Sequence, residues 1–180
     1  MGTAMGTARD FQPEKLVIAI LTARPERGRE LVSALADRWG PADFESEPLP
    51  FGFTDYYAEE MGPSLARVFV SFARLVDPSL LAGIKRATNA IEDRFREEGR
   101  RRVNLDPGLL CLSRFVLATT KDSSHRVPLA EGIFAEVTLL FEKGRFRPIE
   151  WTYPDYRSAE YGEILRRIRE IYRAQTRGRV

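Results

Sequence analysis

NLDPG at residues 104–108 and WTYPDY at residues 151–156 bound the stretch of sequence that decides the fold. Between them lie an apolar run that ends in TTKDSSHR (residues 119–126) and a second apolar run, GIFAEVTL (residues 132–139). Short apolar runs bounded by Pro, Gly and polar turn residues are typical of buried strands. The stretch therefore predicts strands joined by loops that display polar side chains.

The chain before this stretch alternates between strand and helix patterns. The predicted elements are a strand at 15–22, a helix between Pro25 and Gly40, an interrupted strand at 44–53, a strand at 67–76 and a helix at 79–98. Asp77 and Pro78 are typical of the start of the second helix. A following strand, at either 102–105 or 114–120, completes a β-α-β-β-α-β order. That order predicts an α+β fold with a ferredoxin-like core.

The C-terminal part of the chain extends this core. A hairpin is predicted from strands at 133–142 and 145–150 around Lys143-Gly144, followed by a helix at 159–174. Residues 15–180 are predicted to form a single domain, because nothing in them reads as a linker. Residues 1–14, which begin with the repeated unit MGTAMGTA, are predicted to be a disordered N-terminal extension.

Composition narrows the class of protein. Of 180 residues, 43% are hydrophobic and 30% are charged, which favours a globular domain over a disordered chain. The single cysteine, Cys111, excludes an intramolecular disulfide, and no apolar run approaches the ~18 residues of a membrane helix. The first residues also lack a signal-peptide pattern. We therefore expect a cytoplasmic protein that makes no membrane contact.

Charge is unevenly distributed along the chain. After Tyr156 there are seven Arg and three Glu, although the net charge of the whole chain is only +2. Arg166, Arg169, Arg173 and Arg177 form a basic ridge opposite the apolar stripe of the last helix. A ridge of this kind could bind RNA or a protein, but it is more often a solvated face. The same solvated interpretation is favoured for the polar stripe at positions 85, 89, 92 and 96.

Residues 121–126 carry the densest group of chemically active side chains. Lys121 and Arg126 can bind phosphate or carboxylate, and His125, the only histidine, can transfer a proton near neutral pH. Asp106 is predicted to lie in a turn, because Pro and Gly follow it, although display at a strand end would also suit a ligand site. The alternative for residues 121–126 is a solvated hairpin loop.

Glu136 interrupts an apolar strand. Strict alternation places Glu136 on the face opposite 133, 135, 137, 139 and 141, and a buried carboxylate there needs a partner, Arg114 or Arg126. We therefore predict His125, Glu136 and Asp106 as catalytic residues and Lys121, Arg126 and Arg114 as ligand-binding residues. A paired glutamate that only braces the sheet is the alternative.

Aromatic residues form a second group of candidates. Tyr57, Trp151 and Tyr153 could stack on a base or sugar of a ligand, although aromatic residues in a loop that contains proline often pack down as a lid. No metal ligands are assigned, because one histidine and one cysteine cannot form a usual zinc site. The cofactor and the oligomeric state are unknown at this point.

The motifs FTDYY with EMG (residues 53–62), NLDPG, ATTKD with HR (118–126), GIFAEVTL and WTYPDY together resemble the bacterial and archaeal DUF4416 family. The resemblance covers nearly everything after residue 14 and implies no established activity. Some members are described as GTP-binding. Here, however, Asp122 directly follows Lys121, and GxxxxGK[ST] does not occur, so the sequence does not predict a P-loop GTPase. The sequence favours a protein that binds a small anionic ligand, such as a nucleotide or phosphate ester.

Overall fold

The computed structural model describes residues 7–54, 58–62 and 64–178. Its strands are β1 (Glu14–Thr22), β2 (Ala42–Glu45), β3 (Leu49–Phe51), β4 (Leu65–Val76), β5 (Val103–Leu110), β6 (Arg114–Thr119), β7 (Val127–Ala130), β8 (Ile133–Glu142) and β9 (Arg145–Pro148). Its α-helices are α1 (Gly28–Trp39), α2 (Ala58–Met61), α3 (Leu81–Arg94) and α4 (Ala159–Thr176). The α+β class is confirmed.

The described strands form one antiparallel sheet. Their order is β2-β4-β1-β5-β6-β8-β7, with β3 also paired to β4 and β9 to β8. Apolar side chains of α1 and α3 pack on one face of β1, in a core that includes Leu31, Ile84 and Ile18. Side chains of α4 pack on the other face, in a core that includes Ile168 and Val17. The sheet is therefore buried on both sides, between α1 and α3 on one face and α4 on the other.

Local sequence signals account for the starts of the last two long helices. The Asp77 carboxylate accepts a 2.8 Å hydrogen bond from the backbone N–H of Ser79, and a short 3₁₀ turn at Pro78–Leu80 leads into α3. The Ser158 hydroxyl accepts from the backbone N–H of Tyr161 at the start of α4. Oxygens at this position satisfy N–H groups that have no partner within the helix.

The hairpin predicted around Lys143-Gly144 is present. Lys143 and Gly144 join β8 to β9 with φ angles of 49° and 80°. Positive φ at both central residues is the backbone form that joins antiparallel strands with the correct twist. Strand β7 had no counterpart among the predicted elements. The expected N-terminal extension lies partly outside the described residues, and β1 begins at Glu14.

The turn predicted at Asp106 is wrong, because Asp106, Pro107 and Gly108 continue strand β5. Strand β5 pairs with β1 along its whole length, and Pro107 lies opposite Ile18. Strand β6 pairs with β5 only over Gly108–Leu110. Proline lacks an N–H and is tolerated in a strand where that position faces no partner strand. Pro107 occupies such a position, since among the described residues no strand flanks that edge of β5 before Gly108.

The sheet therefore splits between the first half of β5 and the end of β6. On that edge the backbone groups of Leu105 bond to side chains of α3. The N–H of Leu105 donates to Glu92 Oε1 at 2.7 Å, and its carbonyl accepts from Lys85 Nζ at 2.7 Å. Two charged side chains thus replace the neighbouring strand at this point.

Strict alternation along β8 is also wrong. Val116 of β6 pairs with Val137, whereas its neighbour Phe115 pairs with Leu139, so Thr138 forms a bulge. A bulge inserts one residue and reverses which face the following side chains occupy. The Thr138 carbonyl accepts a hydrogen bond of 2.6 Å from the hydroxyl of Thr152. Ile133 and Ala135, before the bulge, therefore pack in the core with α3, whereas Leu139, after the bulge, packs in the core with α4.

Within the described residues, no helix combines the length and apolar character needed to cross a membrane.

A substitution at Gly108 tests the close packing of β5 and β6 at the point where the split ends. A Cβ atom there would lie 2.6 Å from the Phe115 ring and 2.7 Å from the Val116 carbonyl oxygen. We expect Gly108→Ala to lower the free energy of unfolding by about 1–3 kcal/mol, measured by urea denaturation, because the backbone of β6 has to move.

Gly83→Ala is the matched control. Gly83 is exposed in α3, and a Cβ atom added there meets nothing within 4 Å. This change should raise the free energy of unfolding by roughly 0.5–1 kcal/mol, because alanine loses less backbone entropy in a helix. Equal effects of the two substitutions would contradict the close approach of β6 to Gly108.

Candidate functional site

A cavity of about 800 Å³ lies at the split between β5 and β6. We call it the split-sheet cavity. Its walls come from α3, the first half of β5, the end of β6, β8 and the segment that follows β9. Because the sheet is open here, the cavity is reached by side chains of α3 from one face and of β4 from the other. Exposed residues form its entrance, and buried residues form its floor.

Arg67 of β4 lies on the floor and is only 2% exposed. Its guanidinium donates to Asp106 Oδ2 at 3.0 Å and to Asp155 Oδ2 at 3.2 Å. Burial opposes the charge of Arg67, but the nearby carboxylates outweigh it and the pKa of Arg67 is raised. Burial likewise opposes the charge of Asp106, yet Lys85 and Arg67 lower its pKa. Both groups are therefore charged at neutral pH.

Lys85 and Glu92 reach the cavity from α3. Besides its bond to Leu105, Lys85 Nζ lies 3.9 Å from Asp106 Oδ1 and 4.0 Å from Glu92 Oε1. Burial raises the pKa of Glu92 to about 7, although Lys85 and the N–H of Leu105 favour its ionised form. Glu92 therefore changes its protonation near neutral pH.

Glu136 of β8 lines the cavity and is 1% exposed. Its Oε2 lies 2.9 Å from His125 Nε2 and accepts a 2.8 Å hydrogen bond from Arg126 Nε. A carboxylate can only accept, so His125 carries a proton on Nε2 and, when neutral, accepts on Nδ1 from the Ser123 hydroxyl 3.1 Å away. Glu136 Oε1 is buried and has no hydrogen-bond partner in the described part of the chain.

Residues 121–126 are held against β8 by these bonds. Arg126 donates to the Lys121 carbonyl at 2.9 Å and also to the Tyr153 hydroxyl. The His125 ring stacks on Trp151 with 5.1 Å between centroids, and the Trp151 indole N–H donates to the Val137 carbonyl. This arrangement brings Lys121 to the cavity wall.

The structure brings most of the predicted site residues together, but in two different positions. Asp106, Lys121, Glu136 and Tyr153 line the cavity. His125, Arg126 and Trp151 lie behind this wall, where His125 and Arg126 contact Glu136.

One predicted residue is not brought to the cavity. Arg114 lies at the start of β6 and pairs with Glu14 at 2.7 Å, so Arg126 rather than Arg114 is the partner of Glu136. Tyr57 lies outside the described residues.

A comparison with family models decides the relationship of this chain to other proteins. The model of DUF4416, a domain of unknown function, matches residues 12–172. The chain belongs to the DUF4416 family. No curated protein and no solved structure matches it significantly. The site of this DUF4416 domain therefore has to be interpreted from its own geometry.

Among the residues that the structure describes, sequence reasoning missed four of the five buried charged residues that line the cavity of this DUF4416 domain. Positions 85, 89, 92 and 96 were expected to form a solvated face, but all four line the cavity, and Lys85 and Glu92 are buried. Their spacing beside the apolar stripe of α3 was the available signal. Arg67 gave a weaker signal, a lone charge within an apolar strand. Its partner Asp155 lies 88 positions away.

The basic ridge on α4 is not a continuous solvated face. The Arg169 guanidinium lies 3.6 Å from the centre of the Phe141 ring, and its Nε donates to the Leu112 carbonyl. Arg166 pairs with Glu163, and Arg173 with Glu170. Much of the positive charge expected on this surface is thus balanced by neighbours on the same helix.

The raised pKa of Glu92 predicts a specific pH dependence of stability. Below its ordinary pKa of 4.5, Glu92 is protonated in both states. As the pH rises toward 7, the unfolded chain releases this proton while the folded chain keeps it, so stability falls. Between about pH 4 and about pH 8 the free energy of unfolding of the wild type should fall by on the order of 3 kcal/mol relative to that of Glu92→Gln.

Urea denaturation across this range measures the difference. Asp93→Asn, which changes an exposed carboxylate on the same helix, is the control and should produce no such slope. If the free energies of unfolding of the wild type and Glu92→Gln changed in parallel with pH, burial would not raise the pKa of Glu92.

Proposed function

We propose that this DUF4416 protein is a cytoplasmic protein that binds a small anionic molecule, a nucleotide or phosphate ester, in the split-sheet cavity. A volume of about 800 Å³ lies within the range typical of small-molecule sites. The cavity also combines apolar and aromatic walls with converging polar groups, as such sites do.

The charge at the entrance is the observation that carries this proposal. Arg96 and Lys121 are exposed lining residues, and Arg101 is half-buried beside them. Among the described residues at this level, Asp93 pairs with Arg96 and Glu60 lies 3.5 Å from Arg101, so three cations and two anions leave a charge of +1. Arginine and lysine bind phosphate through charge-assisted hydrogen bonds. An anionic group is therefore favoured at the entrance.

The proposal extends to which residues could act on a bound molecule. Glu136 and Asp106 line the cavity and are within reach of a ligand, whereas His125 acts through its hydrogen bond to Glu136. Glu92 joins them as a candidate acid or base, because a pKa of about 7 suits proton transfer at neutral pH. Catalysis by these groups is part of the proposal, and binding is its minimal form.

We also propose that residues 14–110 form a ferredoxin-like unit. The strand order β2-β4-β1-β5 with antiparallel neighbours supports this assignment, as do α1 and α3 packed on one face. The remaining strands and α4 then extend that unit at one edge and cover its other face.

The alternative function, an RNA- or protein-binding module that uses the basic ridge, remains a prediction. The pairing of Arg166 and Arg173 with glutamates and the packing of Arg169 on Phe141 favour the cavity over the ridge.

The substitution Lys121→Ala tests whether Lys121 binds the anionic group of a ligand. In a thermal-shift and calorimetric comparison, AMP and glucose 6-phosphate should bind the wild type more tightly than adenosine and glucose. Loss of one charge-assisted hydrogen bond should weaken binding of the phosphate esters by about tenfold and leave the parent compounds unaffected.

Arg145→Ala is the control, because it removes one positive charge from an exposed position on β9 that does not line the cavity. It should change neither the affinity for the phosphate esters nor that for adenosine and glucose. Equal weakening by the two variants would indicate a general charge effect. Absence of binding by both phosphate esters would overturn the proposal.

A further inference from the structure

The floor of the split-sheet cavity differs in charge from its entrance. Two cations, Arg67 and Lys85, lie there with four carboxyl groups, those of Glu92, Asp106, Glu136 and Asp155. Arg126 contacts Glu136 from behind and adds a third cation. Glu92 is only partly ionised near neutral pH. The floor is therefore close to neutral, which favours uncharged hydrogen-bond donors there over an ammonium group.

Acceptor atoms remain unused on this floor. Glu136 Oε1 is buried without a hydrogen-bond partner among the described residues. Asp106 uses Oδ2 for Arg67 and Asn104, and its Oδ1, on a partly exposed side chain, lies 3.9 Å from Lys85 Nζ, beyond hydrogen-bond distance. A buried acceptor without a partner is costly, and such groups in folded proteins are normally satisfied. Hydroxyl groups of a bound molecule would supply the missing donors.

The Tyr156 hydroxyl is a further unused group. Tyr156 lines the cavity, and its hydroxyl is buried without a hydrogen-bond partner in the described part of the chain. A phenol can donate as well as accept, so it suits a ligand hydroxyl. The Tyr161 hydroxyl is also buried, but it interacts with Arg67, and Tyr161 does not line the cavity.

Aromatic walls complete this chemistry. Phe51, Phe53, Tyr153 and Tyr156 line the cavity beside the carboxylates. Aromatic side chains offer a large apolar surface for the C–H face of a ring, and adjacent carboxylates accept from its hydroxyl groups. Inorganic phosphate would leave both features unused, and an alkyl phosphate would leave the carboxylate acceptors unused.

We infer that the ligand is a phosphate ester of a polyhydroxylated compound, bound with its phosphate at the entrance and its hydroxyl groups on the floor near Glu136 and Asp106. The inference rests on the proposed function and names the ligand class. Sugar phosphates and the ribose phosphate of nucleotides share this chemistry.

Calorimetry with four probes tests the ligand class. Glucose 6-phosphate, ribose 5-phosphate and AMP carry hydroxyl groups, whereas butyl phosphate has the same charged group and none. At least one hydroxylated probe should bind the wild type about tenfold more tightly than butyl phosphate, because its hydroxyls reach acceptors that are otherwise unsatisfied. Comparison of the affinities for AMP and for the two sugar phosphates distinguishes a nucleotide ligand from a sugar phosphate.

Two variants locate the hydroxyl contacts. Glu136→Gln should narrow the difference between the hydroxylated probe and butyl phosphate to a few-fold, with little effect on butyl phosphate itself. Tyr156→Phe removes only a hydroxyl that has no partner among the described residues, so it should fold normally and still weaken the hydroxylated probe. Tyr161→Phe is its matched control and should bind every probe as the wild type does.

The outcomes separate the two proposals. Absence of binding by all four probes overturns the proposed function together with this inference. Binding of butyl phosphate as tight as that of the best hydroxylated probe overturns this inference alone. The inference is also overturned if both Tyr156→Phe and Glu136→Gln keep the wild-type preference for the hydroxylated probe over butyl phosphate. For Glu136→Gln this result counts where the variant retains the wild-type circular dichroism spectrum.

Discussion

The backbone of Leu105 sets the constraint on which the rest of this structure depends. A strand in a sheet that is buried on both faces needs a partner for each N–H and carbonyl group. Before Gly108, β6 no longer pairs with β5, so water or side chains have to take its place. Glu92 and Lys85 take that place with two bonds of 2.7 Å. The open sheet, and therefore the cavity, depends on this substitution of side chains for a strand.

Once charged groups are buried for this purpose, other charges must accompany them. An isolated buried ion is strongly destabilising, whereas a paired and hydrogen-bonded one is tolerated. Lys85 lies near Asp106, Asp106 bonds to Arg67, and Arg67 bonds to Asp155. The series links α3 on one face of the sheet to the segment before α4 on the other. A network that holds the fold together is thus also the floor of the candidate site.

The sequence predicted parts of the site for reasons that are local. Lys121 stood out because it follows an apolar run, Glu136 because it interrupts one, and Asp106 because Pro and Gly follow it directly. Glu92 and Arg67 did not, because their burial depends on strands and helices that are distant in the chain. Arg126 was foreseen as a possible partner of Glu136, since the two lie 10 positions apart around one hairpin. Pairing of Arg67 with Asp155, 88 positions away, had no comparable local signal.

By itself, the sequence determined the α+β class, the starts of α3 and α4, the β8–β9 hairpin and the concentration of polar residues between Asn104 and Tyr156. Each of these follows from side chains acting on backbone within a few residues. Only the tertiary structure decided that Asp106-Pro107-Gly108 is strand rather than turn, that β8 bulges at Thr138, and that Lys85 and Glu92 face inward. Strand register is set by contacts between distant segments, and whether a proline or a charge can sit in a strand depends on what lies beside it.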